Sequence, residues 1–144
     1  MILLNKYRKK NNMKKIIITL TILGLFPFYL NKLDFLHLKY SQINFELAKL
    51  IYGAIIISFL SGMQWQRFII QNETSIVKLV IPMLITLWGW SFVLNFWING
   101  HFIIIIGLIL TLLVDLFIQR DFLTDWFIKL RVCVTCISVL SFLI

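Results

Sequence analysis

Asp115 stands inside a long apolar run, "FIIIIGLILTLLVDLFIQR", and Arg131 inside another, "DWFIKLRVCVTCISVLSFLI". An ionisable side chain in such surroundings is expensive and is normally paired with an opposite charge. Asp115 lies about a turn and a half before Arg120, and Arg131 a similar distance into its own run. The two therefore sit at matching depth, and an Asp115–Arg131 contact is expected, with Lys129 as the alternative partner. Such a pair can clasp a helical hairpin or relay protons. A relay needs further carboxylates along its path, and no other run carries one near its middle. The clasp is the favoured expectation.

The remaining reactive residue types are sparse. Cys133 and Cys136 form "CVTC". In a soluble thioredoxin-like unit this spacing is a redox signal, but here it lies in an apolar helix where a thiolate is disfavoured. The two are expected to be small core residues. His37 and His101 are expected on the side opposite Asp115, too far from the sulfurs to complete a metal site, and take no role. Asn72 opens an N-glycosylation sequon, "NET". No Ser/His/Asp set, phosphate-cradling glycine loop or paired carboxylates are present, so no catalysis, cofactor or metal is expected.

The elements that must position these residues follow from composition. The chain has 144 residues, 60% hydrophobic and 14% charged, with a mean hydropathy of +0.93, far more apolar than a soluble domain. Crossing a bilayer takes about 20 apolar residues as helix. Five runs approach that length, at about 16–30, 47–65, 79–97, 102–118 and 126–144. We read an all-α integral membrane bundle of five transmembrane helices (16–144) behind a basic N-terminal tail (1–15). Pro82 is expected in the first turn of the third span, where its missing N–H costs little. Asn99–Gly100 is a tight turn between spans three and four. No cleavage site follows the first run, which reads as an uncleaved signal-anchor, and Met13 is an alternative start.

The net charge of +8 is not spread as a nucleic-acid surface would be: six basic residues lie in the first fifteen positions and the rest sit singly, most of them at the edges of the apolar runs. With the N-terminus inside, eleven of the fourteen basic residues fall on the inner side and only Lys32, Lys39 and Lys49 outside. Basic residues accumulate on the cytoplasmic side of membranes, which gives an inside N-terminus and an outside C-terminus. It also places the basic tail against anionic lipid headgroups, and puts Asn72 in an inner loop where a glycan is not expected. Trp65, Trp97 and Trp126 fall at span ends, as interfacial anchors do, and Tyr29 is placed likewise.

One span gives up apolar surface. In "YGAIIISFLSGMQW" (52–65), Ala54, Ser58 and Gly62 are four apart, flanked by Gly53 and Ser61. Small residues at this spacing let helix backbones approach closely in lipid. The expectation is a packing face; a cleft for a ligand or for another protein's helix is the alternative. In the third span, Trp88, Trp90, Ser91 and Asn95 are expected to line an interior face.

The same stretch resembles the second-span signature of an uncharacterised membrane family, the domain of unknown function 3429, through Tyr52, Gly53, Ala54, Ser58, Phe59, Leu60, Gly62 and Trp65. Ser61 stands where that family usually has glycine. The end of the chain is similar to it through Trp126, Leu130, Arg131 and Thr135, and "LGLFPF" (23–28) through Gly24 and Pro27. The resemblance runs from about residue 16 and implies a five-span protein of bacterial inner membranes or mitochondria, with no established activity. The address expected is a bacterial cytoplasmic membrane, with the mitochondrial inner membrane as alternative. The function expected is that of a non-enzymatic accessory, scaffold or assembly subunit packing on a larger membrane complex. The alternative is a small transporter, or a lipid- or quinone-binding protein with a cleft near spans two, four and five.

Overall fold

A computed structural model of the chain describes residues 2–29, 45–93 and 100–143, with side chains placed at 12–29, 45–91, 93 and 100–143. The described residues are all-helical, with five α-helices and no strand: α1 (Ile2–Leu23), α2 (Phe45–Ile70), α3 (Ile76–Trp90), α4 (Gly100–Leu113) and α5 (Asp125–Leu143). A 3-10 turn, Ser91–Val93, follows α3; a π turn, Val114–Ile118, prolongs α4; and a 3-10 turn, Arg120–Phe122, leads to α5. Among the described residues, three helices are long and apolar enough to cross a membrane: Phe45–Ile70, Gly100–Ile118 and Asp125–Leu143.

Two boundaries depart from the sequence reading. The basic segment expected as a tail is helical and continuous with the first apolar run, because α1 extends from Ile2 to Leu23; lysine and arginine are good helix formers and nothing in 2–15 breaks the helix. α3 begins at Ile76, so Pro82 is interior rather than in the first turn. Ser75 precedes the helix in extended conformation as its N-cap residue, without a side-chain capping bond, and its N–H donates to Glu73 Oε1. Trp97, Asn95, Asn99 and His37 lie outside the described residues.

Side-chain pairs give the helix directions. Gly53 meets Ile104, Gln64 bonds Thr111 and Arg67 bonds Gln119, so numbers rise together and α2 is parallel to α4. Lys14 lies against Trp126 and Tyr29 bonds Ile137, so α1 is parallel to α5. Lys49 bonds Ser141, so α5 opposes α2. Ile57 meets Gly89, and Trp88 bonds Ile103, in the falling order of antiparallel neighbours for α3. Successive helices thus alternate in direction. Lys14, Arg67, Lys78, Arg120 and Arg131 consequently gather toward one end of the bundle.

The core is built around a reciprocal glycine lock. Ile57 of α2 is fully buried and fills the space that glycine leaves on both neighbours. A Cβ on Gly107 would lie 2.5 Å from Ile57 Cδ1, and one on Gly89 3.0 Å from Ile57 Cγ2. In return Gly53 accepts Ile104 of α4, whose Cγ2 would lie 2.5 Å from a Cβ there. Phe28, Leu25, Phe68, Leu108 and Phe142 extend this cluster. Two tyrosines tie the end of α1 to it: Tyr52 Oη donates to the Gly24 carbonyl at 2.7 Å and Tyr29 Oη to the Ile137 carbonyl at 2.8 Å.

Candidate functional site

The buried stripe of α2 is Lys49, Gly53, Ile57, Ser61, Gln64 and Phe68, a three-to-four spacing that marks one helix face. It carries Gln64 and, partly exposed, Arg67 toward α4. From α4 and its π turn come Thr111, Asp115 and Gln119, all fully or almost fully buried. From α5 comes Arg131, on the stripe Ile128, Arg131, Thr135, Ser138 and Ser141.

Asp115 is the centre. Arg131 donates Nε–H to Asp115 Oδ2 at 2.8 Å, and Arg67 donates from Nη1 to Oδ1 at 3.1 Å. Gln64 Nε2 donates to the same Oδ1 at 3.0 Å and to the Thr111 carbonyl at 2.7 Å. Two acceptors on that nitrogen fix the orientation of the Gln64 amide. Gln119 closes the ring: its Oε1 accepts from Arg67 Nη1, and its Nε2 donates to the Gln64 carbonyl at 2.8 Å. The two sequence-expected partners thus stand in direct contact, while Lys129 is exposed on α5.

Arg67, Gln64, Gln119 and Thr111 carried no role in the sequence reading. Arg67 counted there only as an inner-side charge. A signal was present: Gln64 and Arg67 are three apart, and Asp115 and Gln119 four apart, so each pair shares a helix face. The π turn gave no such signal. Gln119 N–H bonds the Val114 carbonyl at 3.0 Å, five residues back, and a π turn is rare and frequent at functional positions.

The cluster is nearly but not wholly satisfied. Two guanidinium groups share one carboxylate in these ion pairs, at 3.1 and 2.8 Å, leaving one positive charge in excess. Among the described residues, Ser61 Oγ, Gln64 Oε1 and Arg131 Nη2 are buried without a hydrogen-bond partner. Such atoms carry a desolvation cost of about 1–3 kcal/mol each.

Three sequence expectations need correction. First, the face Ala54–Ser58–Gly62 does not form the internal seam. Ser58 and Gly62 are exposed and Ala54 half-buried, and a Cβ on Gly62 would meet nothing within 4 Å. The seam lies one residue earlier, about 100° around the helix, and includes the flanking Gly53 and Ser61. Second, Cys133 and Cys136 are exposed rather than core, because they fall between the positions of the buried α5 stripe. Third, of the third-span residues expected on an interior face, Trp88 and Trp90 are both exposed, at 40% and 52%, although Trp88 Nε1 donates to the Ile103 carbonyl at 3.0 Å. Of the expected anchors, Trp65 is exposed at 40% and Trp126 half-buried, with Lys14 Nζ 5.1 Å from its ring centroid. At the opposite end, His101 Nε2 is 3.0 Å from Glu46 Oε2.

An all-helical chain with membrane-length apolar helices and a buried carboxylate–guanidinium cluster defines the class. The chain belongs to the family described as "Protein of unknown function (DUF3429)", whose model matches residues 13–144. No curated protein and no solved structure matches it.

Proposed function

We propose that the chain is a five-span protein of a bacterial cytoplasmic membrane, with its N-terminus inside, acting without catalysis as an accessory or assembly subunit of a larger membrane complex. The observation that carries this reading is the outward face of α2. Ser58 and Gly62 are exposed while Ala54 is half-buried against the core, and Gly62 opens onto a groove of about 310 Å³ lined also by Trp65, Pro82, Met83 and Leu87. Small residues give a lipid-facing helix little apolar contact but let a second helix approach closely. The occupant proposed is therefore a transmembrane helix of a partner subunit. The basic residues gathered at one bundle end support an inside N-terminus. The Asp115 cluster serves here as the clasp that holds α2, α4 and α5 rigid behind the docking face: every oxygen of Asp115 is committed to an internal donor.

The test is native mass spectrometry of the full chain purified in mild detergent, beside Gly62→Leu. The reading expects a stoichiometric membrane subunit on the wild type, lost in Gly62→Leu with the thermal unfolding midpoint unchanged. A lone monomer for both, or a complex indifferent to Gly62→Leu, refutes it.

A further inference from the structure

The other side of α2 borders a different space. A cleft of about 380 Å³ lies between α1, α2 and α5, walled by Leu20, Gly24, Phe28, Leu60, Phe127 and Arg131. That volume is within the range of small-molecule and cofactor sites. The walls are almost wholly apolar, and among the described residues Arg131 is the one charged residue in them. From Phe127 to Ser138 the cleft follows α5 for about 16 Å. Arg131 lies near the end marked by Phe127, and Phe28, itself 2% exposed, lies toward the other.

Three observations say what such a space would take. Arg131 is 92% buried on its side chain by its 8% exposure, yet its Nη2 has no partner among the described residues. The cluster behind it holds two guanidinium groups against one carboxylate. Lys14 adds a third cation at the Phe127 end: it lies over the Trp126 ring and precedes the cleft-lining Ile17 by three residues on α1. A long apolar slot with a guanidinium-bearing residue in its wall and excess positive charge behind it matches an amphiphile with an anionic head.

We infer that this cleft binds one anionic phospholipid, with an acyl chain between α1, α2 and α5 and its phosphate toward Arg131 and Lys14. A neutral or zwitterionic lipid would leave the excess charge uncompensated. The site does not depend on the Gly62 face, which lies on another side of α2.

The experiment is native mass spectrometry of the full chain in detergent, titrated with dioleoylphosphatidylglycerol, dioleoylphosphatidylcholine or menaquinone. One phosphatidylglycerol is expected per chain, bound at least tenfold more tightly than phosphatidylcholine. Leu60→Trp, which fills the cleft without touching Asp115, should weaken that binding at least tenfold. Leu20→Trp, at an exposed position on α1, makes the same test should Leu60→Trp fail to fold. Arg131→Lys keeps a cation for Asp115 but loses the forked donors, and should reduce the headgroup preference several-fold. Gly62→Leu should leave binding unchanged. Equal binding of the two phospholipids, binding unchanged in the folded tryptophan variants, or preferential retention of menaquinone overturns the inference.

Discussion

Replacing Asp115 by asparagine changes little in shape and removes one charge. Asp115 is 2% exposed and accepts from Arg131, Arg67 and Gln64. The substitution leaves Arg131, 8% exposed, as a buried cation with no counter-charge, and an amide NH2 where a second acceptor stood. Two magnitudes compete. A hydrogen bond between membrane helices contributes on average about 0.6 kcal/mol, whereas removing one partner of a buried ion pair costs about 3–5 kcal/mol. The second term governs here, because Arg131 cannot reach water without leaving the α5 stripe. Arg67, 21% exposed, can relax toward solvent and adds little. We therefore expect Asp115→Asn to lose about 3 kcal/mol or more, a large share of a typical stability of about 5–15 kcal/mol. The assay is equilibrium unfolding in mixed micelles with increasing SDS. The Asp115→Leu/Arg131→Met double variant should recover most of the loss, because apolar replacement of a buried pair is often neutral or better. A loss below about 1 kcal/mol for Asp115→Asn, within the hydrogen-bond term alone, would refute the clasp.

Gly53→Ala should destabilise by about 1–3 kcal/mol through overpacking, because its Cβ would press on Ile104 at 2.5 Å; Gly62→Ala, in open space, should be neutral or gain up to about 1 kcal/mol of helix propensity in the isolated chain. The same unfolding assay reads both, and equal effects would contradict the assigned seam. Outside the spans, Lys78 beside Glu73 holds its carboxyl below the usual range, mainly by donating a hydrogen bond to it. A lowered folded value means a contribution present above the unfolded carboxylate range and lost as pH falls through the folded value; carboxyl NMR should show the Glu73 midpoint rising in Lys78→Met. Cys133 and Cys136, exposed on a helix assigned to the bilayer, should react with a membrane-permeant maleimide and resist a charged one in intact vesicles; equal labelling by both would remove α5 from the lipid.

The helical class and the Asp115–Arg131 pair were legible because burial of charge in an apolar run has few solutions. What stayed hidden depends on rotation about helix axes. Ala54–Ser58–Gly62 and Gly53–Ile57–Ser61 are equally regular stripes one residue apart, and only the neighbours decide which turns inward. Those neighbours are Gly89 and Gly107, single glycines without a motif of their own. Arg67 was visible as a charge, but its partner across α4 depends on the parallel placement of α2 and α4, which no local spacing encodes. The start of α3 was misplaced because Lys78 interrupts the apolar run, whereas the helix begins before it, at Ile76.

The turn after α2 has a consequence for how the bundle assembles. Asn72 adopts φ 52°, with its N–H on the Ile69 carbonyl at 3.0 Å and the Glu73 N–H on the Phe68 carbonyl at 3.0 Å. This is the Schellman closure of a helix end. Together with the Glu73 contacts to Ser75 and Lys78, the whole reversal from α2 to α3 is secured within residues 68–78. Contacts so close in sequence form fast, without waiting for distant segments. The α2–α3 hairpin should therefore enter the membrane as a preassembled unit onto which α4 and α5 later close. Asn72→Gly should preserve that early step, and Asn72→Val, barred from the left-handed region, should slow it in time-resolved insertion measurements.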